Sequence, residues 1–166
     1  MEFEFKKLST EAIPPALERA ERYRLLNEPV QAESICLDIL SVEPHNQQAL
    51  VCLLLALSEQ FGENITEKLD RAWSILPKLS DTYQQVYYQG ILLERQARLY
   101  MRSDAPGSNF SAFDLLQEAM RLYEKAERLK QPGNDEALLR WNTCARTITA
   151  ANLEARPLAD FRPMLE

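Results

Sequence analysis

Apolar residues recur every three to four positions along most of this chain, the spacing that gathers them on one face of an α-helix. The first such series is Leu17, Ala20, Tyr23 and Leu26. Pro14 and Pro15 suit its first turn, where a missing N–H costs nothing. Asn27-Glu28-Pro29 ends it, and Pro29 opens a second helix with Ala32, Ile35, Cys36, Ile39 and Leu40 on its inner face. Glu43-Pro44-His45-Asn46 ends that one. A third helix, residues 47–61, is apolar on nearly all sides, as befits a helix flanked by neighbours on several faces.

Gly62 fits a C-cap for the third helix, and Asn64 an N-cap for a fourth, with Glu67 as capping-box partner. The fourth helix carries Leu69, Ala72 and Trp73 and stops before Pro77, Ser80 and Asp81. A fifth covers residues 81–101, and the turn-rich SDAPGSN stretch at 103–109 separates it from a sixth at 111–130. Pro132-Gly133-Asn134-Asp135 breaks the pattern before a seventh helix at 136–152. Residues 2–5 alternate charge and Phe, which predicts a short edge strand or an arm packed on the body. The expected division is an N-terminal arm (1–12), a helical domain (13–152) and an irregular tail (153–166). Phe161, Met164 and Leu165 suit a tail lying extended in a groove. The predicted class is all-α.

Composition narrows the function. At 166 residues and 46% apolar content, one domain with its own core is expected. A formal charge of -6 argues against nucleic acid, whose phosphates call for a basic face. The most apolar run, residues 49–57, is less than half of the roughly 20 residues that span a bilayer, so no membrane partner is expected. The opening MEFEFKK is acidic where a signal peptide is basic, and a cytoplasmic location follows as the expectation.

Candidate chemistry is sparse. Cys36, Cys52 and Cys144 sit in apolar helical positions and read as buried free thiols, too scattered for a metal site. His45, the sole histidine, stands in a turn, so a Ser or Cys nucleophile lacks a base. The four glycines are isolated and form no phosphate loop. Carboxylates alternate with basic residues, as at Glu18, Arg19, Glu21, Arg22 and Arg24, which describes an ion-paired, solvated face. The chain is therefore expected to be no enzyme, with no catalytic residue, metal or cofactor.

A period near 34 residues runs beneath the helices. Pro44 and Pro77 are 33 apart, and Ala32, Tyr23 and Ala20 precede Pro44 by 12, 21 and 24. Ala119, Tyr123 and Ala126 give a small–aromatic–small spacing on the sixth helix, and Gly90 is the small residue of the fifth. In these positions the chain resembles the tetratricopeptide repeat family over residues 13–150, as three degenerate pairs plus a seventh helix. Leu54 and Ile39 stand where small residues are usual, and the Pro77 to Pro132 interval stretches to 55.

The resemblance implies a TPR-like antiparallel helix-hairpin solenoid of about seven helices, whose first helices line a groove. By alignment it places Leu17, Glu21, Arg24, Gln48, Val51, Leu55, Tyr87, Ile91 and Glu94 on that groove, apolar at its centre and charged at its ends. Leu17, Glu21 and Cys52 stand where one branch of the family clamps terminal carboxylates, so that mode of capture is not expected. Tyr87 and Tyr88 point roughly 100° apart on a helix, which makes one of them a groove residue. The implied function is a non-catalytic protein–protein interaction module taking a peptide or helix of a partner. Two alternatives stay open: a homodimer joined through the groove or tail, and a ligand or enzymatic site between helices.

Overall fold

The structure, a computed structural model, describes residues 3–62 and 65–157. It contains α1 (Ile13–Leu25), α2 (Pro29–Val42), α3 (Gln47–Glu59), α4 (Ile65–Ile75), α5 (Thr82–Met101), α6 (Ser108–Glu127) and α7 (Glu136–Ala150). Short 3-10 turns, Thr10–Ala12 and Leu76–Lys78, precede α1 and follow α4. Among the described residues there is no strand, and no helix is long and apolar enough to cross a membrane.

Local chemistry sets the helix ends. Asn27 closes α1 in left-handed backbone, φ 60°, which lets the Glu28 N–H reach the Tyr23 carbonyl at 2.8 Å. Asn152, φ 48°, closes α7 the same way, with the Leu153 N–H on the Ile148 carbonyl at 3.0 Å. Asparagine thus fills the position that glycine most often takes. Gly62, expected as a C-cap, does not adopt left-handed backbone. Asn64 lies outside the described residues, and its expected partner Glu67 stands in the first turn of α4. Asn46 begins α3 rather than merely ending α2, because its side-chain oxygen accepts the Ala49 N–H at 3.0 Å. Asp81 caps α5 through the Tyr83 N–H at 2.9 Å. Helix α6 starts at Ser108, three residues before the expected 111, directly after Gly107 at φ 81°.

Each helix packs chiefly on its neighbours in sequence, α1 on α2, α2 on α3, α3 on α4, α5 on α6 and α6 on α7. Turns this short make successive helices antiparallel hairpins. Helix α3 also meets α1 and α5, which starts a row of odd-numbered helices beside the even-numbered ones. The core follows the chain in patches. Ile13, Leu17, Ile39 and Ala49 form one at the N-terminal end. Residues from Ala20 to Leu79, joined by Leu92, form the second, and residues from Val86 to Leu153 the third. Leu55, Trp73 and Tyr88 touch both larger patches and weld them.

The tightest helix pair is α5 with α6. A Cβ built on Gly90 would stand 2.6 Å from Cε1 of Tyr123, so a side chain there would force the ring or a helix to shift. Ala119, Tyr123 and Ala126 are fully buried, as their spacing predicts. Both helices have 20 residues, against 13 and 14 for α1 and α2, which supplies part of the stretch of the third period, the connections between helices supplying the rest.

Helices α2 and α4 are tied through Glu33, only 8% exposed. Its carboxylate accepts Lys68 at 2.8 Å and Gln60 at 2.8 Å, and pairs with Arg71 at 2.6 Å. Burial pushes the Glu33 carboxyl up, but hydrogen bonds from Lys68, Gln60 and Arg71 outweigh it and hold the pKa below the ordinary 4.5.

The N-terminal residues depart from expectation. Residues 3–9 form no strand, Phe3 and Phe5 are 80% and 95% exposed, and Leu8 is the apolar side chain of this stretch that packs on the body. Glu2 lies outside the described residues. After α7 the chain still holds on, with Leu153 buried and Arg156 above the Phe110 ring at 5.9 Å. Phe161, Met164 and Leu165 lie outside the described residues.

Two expectations follow. Gly90→Ala lowers the unfolding free energy by about 1–3 kcal/mol in urea titration, because a close-packed ring has no room to retreat. Wild-type stability in that variant would mean that the two helices separate freely. Glu33 has a folded pKa below its unfolded one, so its contribution is whole above pH 4.5 and is lost as pH falls through the folded value. Glu33→Gln should therefore flatten the acid limb of the stability–pH curve below about pH 5. An acid limb of unchanged slope would contradict this.

Candidate functional site

Charged side chains stitch the odd-numbered helices together in order. Arg24 of α1 forks onto Glu59 at the end of α3, with Nε at 3.2 Å and Nη2 at 2.5 Å. Arg95 of α5 reaches the same Glu59 at 3.4 Å and donates to the Leu55 carbonyl at 3.0 Å and to the Ser58 hydroxyl. Glu94, 3% exposed, accepts Arg98 at 2.5 Å, Arg140 of α7 at 3.3 Å and the Tyr123 hydroxyl at 2.9 Å. Consecutive helical residues point roughly 100° apart. Arg95 therefore turns toward α3 while Glu94 turns toward α6 and α7.

These pairs set the electrostatics of the row. Burial works against the Arg24 guanidinium, but Glu59 outweighs it and raises its pKa. Glu94 does the same for Arg140, again against burial. Arg95 is held below its ordinary value, first by burial and then by the positive fields of Arg24, Arg140 and Arg98, with Glu59 acting the other way. Tyr88, half-buried, is pushed up to about 12 by burial, then by Tyr87 and Glu136. Its ring meets Tyr87 edge-on at 5.2 Å, and Tyr87 stacks on Tyr83 at 5.7 Å.

The expected groove residues divide. Val51 and Leu55 are half-buried on α3, and Arg24 is half-buried on α1, along the row just described. Glu21 and Gln48 are exposed and rim a cavity of about 390 Å³ together with Leu17. Leu17 itself is 8% exposed and packs with Ile13, Ile39 and Ala49. Tyr87, Ile91 and Glu94 are 7%, 2% and 3% exposed, so their side chains belong to the interior rather than to a contact surface. Of the two adjacent tyrosines, Tyr88 is the more exposed. Glu59, Arg95, Arg98 and Arg140 were not among the candidates. The available signal was helical phase, since Arg95 and Arg98 follow Glu94 by one and four residues.

Other chemistry is quiet. All three cysteines are free and buried. The neighbouring Cys52 thiol, and then burial, raise the Cys36 pKa, and burial pushes Cys144 up to about 12. His45 is exposed in its turn. Among the described residues no group of three or more His, Cys, Asp or Glu is placed to hold a metal. No known protein family, curated protein or solved structure matches this chain.

Proposed function

We propose that the chain is a non-catalytic, cytoplasmic, tetratricopeptide-like module that takes a peptide or helix of a partner protein along its row of odd-numbered helices. The observation that carries this reading is the row itself. Val51, Leu55 and Tyr88 remain half-buried there, between arginines that carboxylates hold in place. Aromatic and arginine side chains on a rigid support are the groups that dominate binding hot spots. The centre of this surface is mixed, with Arg95 beside Leu55, so the partner meets guanidinium as well as apolar contact. The close approach of Gly90 and Tyr123 supports tetratricopeptide-like stacking of the hairpins.

One surface favours self-association as a second reading. At the α1–α2 turn, Leu25, Leu26 and Val30 are 88%, 62% and 61% exposed. Apolar residues grouped like this mark contact sites, and two-fold pairing is the commonest way to cover them.

Leu55→Ala with Tyr88→Ala should bind a display-selected peptide at least tenfold more weakly than wild type, about 1.4 kcal/mol, with the circular dichroism spectrum unchanged. Equal affinity would remove the row from the binding surface. Light scattering separates the readings: a monomer supports the module, and a dimer dispersed by Leu25→Asp with Leu26→Asp supports self-association.

A further inference from the structure

Positive charge on the row exceeds the carboxylates bonded to it. Arg24, Arg95, Arg98 and Arg140 gather there, and the carboxylates they bond among the described residues are Glu59 and Glu94. The whole chain carries a formal charge of -6, so this is a local reversal of sign. The arrangement is also layered. Glu94 lies beneath at 3% exposure, while Arg98 and Arg140 above it are 50% and 37% exposed. Both arginines contact the same oxygen, Oε1 of Glu94, at 2.5 and 3.3 Å, which sets the two guanidiniums side by side.

A guanidinium has five N–H donors, and one bond to Glu94 leaves most of them free. Paired guanidiniums anchored from below match the two oxygens of an incoming carboxylate, and little side-chain freedom remains to be lost on binding. Glu136, one turn before Arg140, acts on Tyr87 and Tyr88, and Glu21 stands at the far end of the row by Cys52. These two carboxylates flank the positive stretch, which runs from Arg24 of α1 through Arg95 and Arg98 of α5 to Arg140 of α7.

We infer that Arg98 and Arg140 form a subsite for Asp or Glu side chains of an acidic partner segment, whose apolar residues lie along Leu55 and Tyr88. The inference rests on the interaction-module reading and names its partner class. The subsite lies on α5 and α7, away from Leu17, Glu21 and Cys52, where the family resemblance would put a terminal-carboxylate clamp. A long polyanion such as nucleic acid is disfavoured by the charge of the rest of the chain.

The test pans a random dodecapeptide library against the wild type and against Arg98→Gln with Arg140→Gln at low salt. The wild type should select peptides enriched in Asp and Glu over the input library, and the variant should lose that enrichment. A selected peptide should bind the wild type at least tenfold more weakly in 0.5 M than in 0.05 M sodium chloride, a readout that needs no variant. Selected peptides without acidic enrichment, or binding indifferent to salt, would overturn the inference and leave the module reading standing. Failure to select any peptide would overturn both.

Discussion

Everything on the C-terminal side of this molecule depends on the Tyr123 ring lying directly against the backbone of Gly90. A Cβ at position 90 would be 2.6 Å from the ring, so any larger residue there would force the ring or a helix to shift. The contact brings α5 and α6 together along their length, and Ala119 and Ala126 keep the approach open on either side. It also delivers the Tyr123 hydroxyl to a defined depth, 2.9 Å from Oε2 of Glu94. Burial is the first reason why that hydroxyl keeps its proton, and the adjacent carboxylate is the second.

From Glu94 the order propagates outward. A carboxylate 3% exposed is stable only with charged partners and filled hydrogen bonds. Tyr123, Arg98 and Arg140 provide them, and in doing so they fix α7 against α5. On the adjacent face of α5, Arg95 repeats the arrangement toward α3 through Glu59, which in turn holds Arg24 of α1. No described buried side-chain nitrogen or oxygen is left without a partner. A chain of small local requirements thus orders one surface across four helices, and the partner-binding reading draws on that surface.

Much of the fold was legible because helices announce themselves in short-range pattern. Pro29, Asp81 and the Pro132 to Asp135 break placed helix ends within a few residues, and Ala119, Tyr123 and Ala126 identified the close pair. Errors arose where one residue type serves two roles. Gly62 looked like a cap, yet the left-handed ends belong to Asn27 and Asn152. The SDAPGSN stretch looked like loop throughout, yet its last two residues begin α6 once Gly107 turns the chain. The site was less legible for a deeper reason. An alignment places residues on a face of one helix, whereas exposure depends on what the neighbouring helices cover. Ile91 and Glu94 have the right phase for a groove and are covered by α6 and α7. The pairs Arg24–Glu59 and Arg140–Glu94 join residues 35 and 46 apart, a distance at which local periodicity carries no signal.

The most direct measurement is a double-mutant cycle on Glu94→Gln and Tyr123→Phe, with unfolding free energies from urea titration. If the buried hydroxyl positions the carboxylate that organises the row, the two changes are coupled by about 1 kcal/mol or more. Strict additivity, within about 0.3 kcal/mol, would contradict the account, because the hydroxyl and the carboxylate would then act independently.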